Sequence, residues 1–125
     1  MPSTTRDATC VAFDLGAESG RAILAWLRSG KLSIEEIRRF RNEPVLYNGG
    51  LHWDAPRLWF EMQAAFATLG AGGVDRLDSV GVDTWGVDYA LLGENGTLLG
   101  SPTHYREART EVMERVQKQL TREYI

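Results

Sequence analysis

Apolar residues come in short bounded runs along this chain, and the spacing inside each run predicts an element. Cys10–Phe13 and Leu15 bracket a single acid, Asp14, and a run this short between polar residues reads as a buried strand over roughly Thr9–Asp14. Arg21 opens a second apolar run, Ala22–Leu27, which predicts a strand over Arg21–Arg28. The turn between the two holds Gly16, Ser19 and Gly20, so the pair reads as a β-hairpin. Ser29-Gly30-Lys31 is a tight turn into a third strand, Leu32 to about Asn42, where Leu32, Ile34 and Phe40 alternate with polar neighbours. The middle of that strand, E-E-I-R-R-F, also suits a helical turn, and the shortness of the preceding turn decides for a strand. Pro44 ends it, Tyr47–Gly50 reads as a loop, and Leu51–Trp53 as a brief extended segment.

The period then changes. Leu58, Met62, Ala65, Phe66 and Leu69 recur three and four apart, which is one apolar face of a helix over 55–69. Asp54 is its N-cap, Pro56 sits in the first turn where a missing N–H costs nothing, and Gly70-Ala71-Gly72-Gly73 stops it. A strand over Leu77–Val82 leads into Asp83-Thr84-Trp85-Gly86-Val87-Asp88. Tyr89–Leu92 reads as another strand, turned by Asn95-Gly96 against Thr97–Leu99. Pro102–Thr110 is a polar loop, and Glu111–Leu120 a final helix with Val112, Val116 and Leu120 on one face. Three meandering strands, a helix, a strand and a helix make a mixed α/β sheet flanked by helices.

The first turn is over-equipped for simple reversal, since it carries an acid, a hydroxyl and a base. Gly16 and Gly20 give the backbone freedom and let a ligand approach closely. Successive N–H groups in such a turn form an anion site. Ser19 adds a donor and Arg21 a forked cation for phosphate oxygens. Asp14 repels phosphate, and its sensible role is to hold a hydrated Mg²⁺ that the phosphates share. The alternative is a plain hairpin in which Asp14 satisfies its own turn amides and Arg21 is solvated.

Composition narrows the field. A chain of 125 residues, 43% hydrophobic and 25% charged, is long enough for one modest core. Its 14 basic and 17 acidic residues give a net charge of −3, which argues against a basic nucleic-acid face. The polar start M-P-S-T-T-R-D has no apolar signal core, no run reaches membrane-spanning length, and residues 1–8 read as a loose, disordered tail. The single cysteine, Cys10, is expected to be a small core residue in a reducing, cytoplasmic setting. His52 and His104 have no partner at metal-ligand spacing, so zinc is not expected.

Four separated stretches resemble one family. Asp14–Arg21, D-L-G-A-E-S-G-R, is similar to the first phosphate motif of the actin-like ATPase superfamily. Ser79–Tyr89, S-V-G-V-D-T-W-G-V-D-Y, followed by Ala90-Leu91-Leu92, resembles the sugar-site segment of the FGGY carbohydrate kinases, in the branch that acts on L-rhamnulose. Arg39-Phe40-Arg41-Asn42 with His52-Trp53-Asp54, and His104–Thr110, resemble the same branch in the same order. The resemblance implies a ribonuclease-H-like, actin-like ATPase fold, incomplete here, with residues 9–125 as the first part of its N-terminal domain. It implies an enzyme that moves the γ-phosphoryl of ATP to the 1-hydroxyl of L-rhamnulose, with Mg²⁺ as cofactor. Its nucleotide residues fall on Ala17, Glu18, Ser19, Gly20 and Arg21, and its sugar contact on Gly86. Glu107 stands where the family more often has Asp, so no contact is assigned to it, nor to Arg106 and Arg109.

Beside that inheritance, Asp83 and Asp88 flank a Gly-containing turn and read either as acceptors of sugar hydroxyls or as turn caps. Trp85 reads either as a stacking face for a sugar or as a cover for the core. The base that phosphoryl transfer needs lies, in the family, on a later His-Asp-Thr stretch that these residues lack. The chain is therefore expected to be inactive alone and to self-associate through open strand edges. Two other readings stay open: a non-catalytic actin-like or ribonuclease-H-like nucleotide module, and an FGGY kinase for another ketose or polyol.

Overall fold

The computed structural model describes residues 7–108 and residues 112, 116 and 119. Its elements run β1 (Ala8–Leu15), β2 (Ser19–Arg28), β3 (Lys31–Arg41), β4 (Val45–Tyr47), β5 (Gly50–His52), α1 (Ala55–Ala71) and β6 (Ser79–Thr84). They fall into two compact units, Met1–Glu43 with Asp54–Gly86, and Pro44–Trp53 with Val87–Ile125.

The first unit is a four-stranded sheet in the order β3-β2-β1-β6. β1, β2 and β3 form an antiparallel meander, and β6 lies parallel to β1 on its other side. Side chains alternate across a strand, so β1 is dry on one face only. Val11, Phe13 and Leu15 are buried with Ala22, Leu24, Phe40 and, from α1, Ala65 and Leu69. Cys10, Ala12 and Asp14 take the opposite face, and Cys10 is only half-buried, so the fully buried strand expected from the apolar run is corrected to a one-sided one. Phe66 stands edge-on to Phe13 with ring centroids 5.3 Å apart, locking α1 onto the sheet.

Asp54 caps α1 as its sequence predicts, accepting from the Arg57 N–H at 3.0 Å, with Pro56 in the first turn. Gly70 and Ala71 remain helical, and the left-handed residue beyond the end is Gly73 at φ +84°. β6 begins two residues later than its apolar run suggests, because Asp78 is spent on pinning β1. Its N–H donates to the Thr9 carbonyl at 2.7 Å, and its carboxylate accepts from the Thr9 N–H at 2.8 Å.

In the second unit the stretch expected to be a loop is a hairpin, β4 against β5. Asn48 and Gly49 both take left-handed backbone, φ +51° and +74°, which is the two-residue turn that matches strand twist. Thr103 bridges to His52, and the Trp53 and His104 N–H groups donate to the Pro102 and Leu51 carbonyls, so a third segment lines the hairpin. The Asn95-Gly96 turn forms where expected. The strands around it reduce to a single bridge, Leu92 with Leu98, held by the Gly93 N–H to the Thr97 carbonyl at 2.8 Å and the Leu99 N–H to the Leu91 carbonyl at 3.0 Å. Tyr89–Leu92 is therefore not a strand: its large side chains are exposed and it has too little apolar contact to hold a ladder. The helix expected over 111–120 lies outside the described residues apart from Val112, Val116 and Gln119.

Candidate functional site

The parallel register pairs Leu15 with Thr84 and Asp14 with Asp83, so β1 and β6 end level. The Gly16–Glu18 turn and the Thr84-Trp85-Gly86 corner therefore leave the sheet at the same end. Asp83 belongs to β6 rather than to the turn beyond it. Residues in register share a face, and neighbouring strands lie about 4.8 Å apart, so the two acids occupy adjacent positions on one face of the sheet. Across the other strands, Asp14 pairs with Arg21 and Arg21 with Arg39. One rung of the sheet thus reads Asp83, Asp14, Arg21, Arg39.

Within that rung Arg21 donates through Nε at 2.8 Å and Nη2 at 2.6 Å, both to Oδ2 of Asp14. Both side chains are roughly 40% exposed, 43% for Arg21 and 40% for Asp14, so the pair is open to solvent and exchangeable. Asp14 does not satisfy its own turn amides, and Arg21 is not merely solvated. Arg39 is engaged elsewhere, with Nε and Nη2 on the Glu36 carboxylate at 3.0 and 2.5 Å. Those hydrogen bonds hold the Glu36 carboxyl below its ordinary range.

The turn itself is stiff. The Gly16 N–H donates to the Ser19 carbonyl at 3.0 Å, and a Cβ on Gly16 would lie 2.8 Å from that oxygen. Buried Asn42, just past β3, donates from Nδ2 to the Gly16 carbonyl at 2.9 Å and from its backbone N–H to the Glu18 carbonyl at 3.0 Å. Ala17 is half-buried, while Glu18 and Ser19 are exposed. Neither Gly16 nor Gly20 has left-handed backbone, which corrects the conformational reason given for them. Gly20 is needed because a Cβ there would sit 2.2 Å from the Phe40 ring.

At the corner, Trp85 is half-buried and packs against the core. Gly86 is exposed, and a Cβ added there meets nothing within 4 Å. Asp88 belongs to the second unit, where Trp53 Nε1 donates to its Oδ2 at 2.7 Å. Trp53 is buried against His104, ring centroids 4.1 Å apart, and His104 stacks on Tyr105 at 4.5 Å. The Arg106 N–H donates to His104 Nδ1 at 3.0 Å, so the neutral ring carries its proton on Nε2. Burial pushes the His104 pKa down. Arg106 places its guanidinium 5.2 Å above the Tyr105 ring. Arg109 lies outside the described residues. Asn42, Trp53 and His104 carry local architecture that periodicity does not reveal; the polar Asn42 directly after a strand is the one signal that could have found the turn's anchor.

No protein-family profile matches the chain. It is 44% identical over 117 residues to a rhamnulokinase of Mannheimia succiniciproducens, covering 91% of this chain and 24% of that protein. A rhamnulokinase of Oceanobacillus iheyensis is 39% identical over 114 residues, again with 24% of its length covered. The chain thus spans about a quarter of the curated relatives it matches. Among solved structures, a gluconate kinase from Lactobacillus acidophilus superposes with a TM-score of 0.71 over 91% of this chain and 23% of its own, at 12% identity. By sequence the chain is similar to rhamnulokinases over about a quarter of their length, and by fold it is similar to solved carbohydrate kinases.

Proposed function

We propose that this chain carries the triphosphate turn and the sugar corner of an ATP-dependent kinase that phosphorylates the 1-hydroxyl of L-rhamnulose, giving L-rhamnulose 1-phosphate in rhamnose catabolism. The observation that carries the reading is the level ending of β1 and β6, which sends a phosphate-type turn and the Thr84–Gly86 corner off the same end of one sheet. Ligands of open α/β sheets bind at the carboxyl ends of parallel strands. Named relatives over 91% of the chain support the same chemistry.

The donor set fits Mg²⁺ and ATP. A half-exposed carboxylate at a strand end suits a cation that keeps its waters, and one guanidinium with forked donors suits a phosphate. In this reading Asp14 holds the hydrated Mg²⁺; Ala17, Glu18, Ser19, Gly20 and Arg21 hold the phosphates; Gly86, Asp83 and Trp85 meet the ketose. The cation supplies charge neutralisation across the phosphate oxygens. The chain's residues supply placement: Asn42 keeps the turn in shape, and Trp85 anchors the corner to the core. Turnover is assigned to an enzyme longer than these residues, with its general base elsewhere, and to the cytoplasm, where ATP is at hand. Among the described residues no helix is long and apolar enough to cross a membrane.

The test is ADP release by a full-length enzyme carrying these 125 residues. L-Rhamnulose-dependent, Mg²⁺-dependent release is expected. Release with xylulose or glycerol but not with rhamnulose would reject the substrate, and failure with every sugar would reject the kinase.

A further inference from the structure

We propose that Arg21 makes this site selective for the metal–nucleotide complex over either component alone, by acting as the stand-in cation on Asp14 when the site is empty. The inference rests on the nucleotide reading above and adds to it an exchange of partners.

Arg21 places two donors on a single oxygen, Oδ2 of Asp14, at 2.8 and 2.6 Å. A free divalent cation arriving at Asp14 must therefore displace a charge-assisted, two-point contact and leave the guanidinium with only the more distant charge of Glu36, already bound to Arg39. A metal-free triphosphate meets the opposite difficulty: Nε and Nη2 of Arg21 are already on Asp14, and a second acid, Asp83, stands in register beside Asp14. Only a ligand bringing both charges settles both partners at once, with Asp14 exchanging Arg21 for the cation and Arg21 turning its fork to phosphate oxygens. The next residue along the rung enforces this. Arg39 is cross-strand from Arg21 and holds the Glu36 carboxylate with its own fork, so Glu36, although within electrostatic reach of Arg21, is committed to Arg39 and Asp14 stays the partner in hydrogen-bond contact. The exposure of the pair keeps its strength modest, which an exchange requires.

Binding measured by calorimetry on a full-length enzyme carrying these 125 residues tests this with three probes: Mn²⁺ alone, ATP with a chelator, and MgATP. The native enzyme should take MgATP at least about tenfold more tightly than metal-free ATP, given the strength of charge-assisted contacts. Arg21→Met should bind Mn²⁺ alone several-fold more tightly and MgATP more weakly. Asp14→Asn should bind metal-free ATP more tightly and lose the preference for the magnesium complex. Circular dichroism on both variants reports whether the sheet is intact, and Arg21→Lys, which keeps the charge and loses the fork, should fall between native and Met. If both variants weaken all three probes alike, the exchange is overturned and the nucleotide site stands. If the native enzyme takes up no MgATP, the nucleotide reading falls and the exchange with it.

Discussion

Glu61 is 1% exposed on the face of α1 that otherwise presents Leu58, Ala65 and Leu69. Burial alone would push its carboxyl upward. Hydrogen bonds from Arg38 at 2.7 Å and Arg57 at 2.8 Å outweigh that and leave its pKa below the ordinary value of 4.5. A folded-state pKa below the unfolded one means stability present above pH 4.5 and lost as pH falls through the folded value. Glu61→Gln should therefore cost about 1–3 kcal/mol at pH 7, since both arginines reach solvent and can rehydrate. In urea melts the deficit should shrink toward acid pH; a deficit independent of pH would mean lost packing. Two glycines separate cleanly at this scale. Gly20→Ala forces Phe40 aside and should cost about 1–3 kcal/mol, partly recovered by Phe40→Leu. Gly86→Leu enters open space, so stability should stay within about 0.5 kcal/mol. In a full-length enzyme it should raise the sugar KM well above any change in the ATP KM, and equal rises would remove Gly86 from the sugar site.

Elements were legible wherever one local rule decided them. Asp54 and Pro56 mark the start of α1 because capping and the missing N–H act within one turn, and the β1–β2 hairpin follows from two apolar runs around a short glycine turn. Where partners outside the window decide, sequence reading went astray. Asn48-Gly49 and Asn95-Gly96 carry the same turn signal. Only the first has flanks that extend into paired strands, because Val45–Tyr47 and Gly50–His52 gain support from Thr103, whereas around the second pairing stops at one bridge and Tyr89–Leu92 stays exposed. Asp14 and Asp83 were each legible as acids near strand ends, but their adjacency depends on a parallel register between residues far apart in sequence. Gly49→Ala tests the hairpin. The added methyl meets nothing, so the cost is conformational, about 1 kcal/mol from φ +74°. Faster amide exchange confined to β4 and β5 is expected, and unchanged protection would show that the turn does not set the register.

For the molecule as a whole, the sheet has an open margin. β6 is its outermost strand on one side, with Val80 51% and Val82 55% exposed. Such an edge pairs readily with another chain. We propose that the isolated chain self-associates there, giving dimers or larger species by sedimentation at micromolar concentration, and that Val82→Lys restores the monomer. Native chain that sediments as a monomer would show the edge to be protected.

Asn42 grips the carbonyls of Gly16 and Glu18 with two different groups, one of them its own main chain. It works as a caliper set from across the sheet: the loop fits between its jaws at one length. Adding or removing a single residue there would open the caliper, so insertions tolerated in other surface loops should be refused at this one.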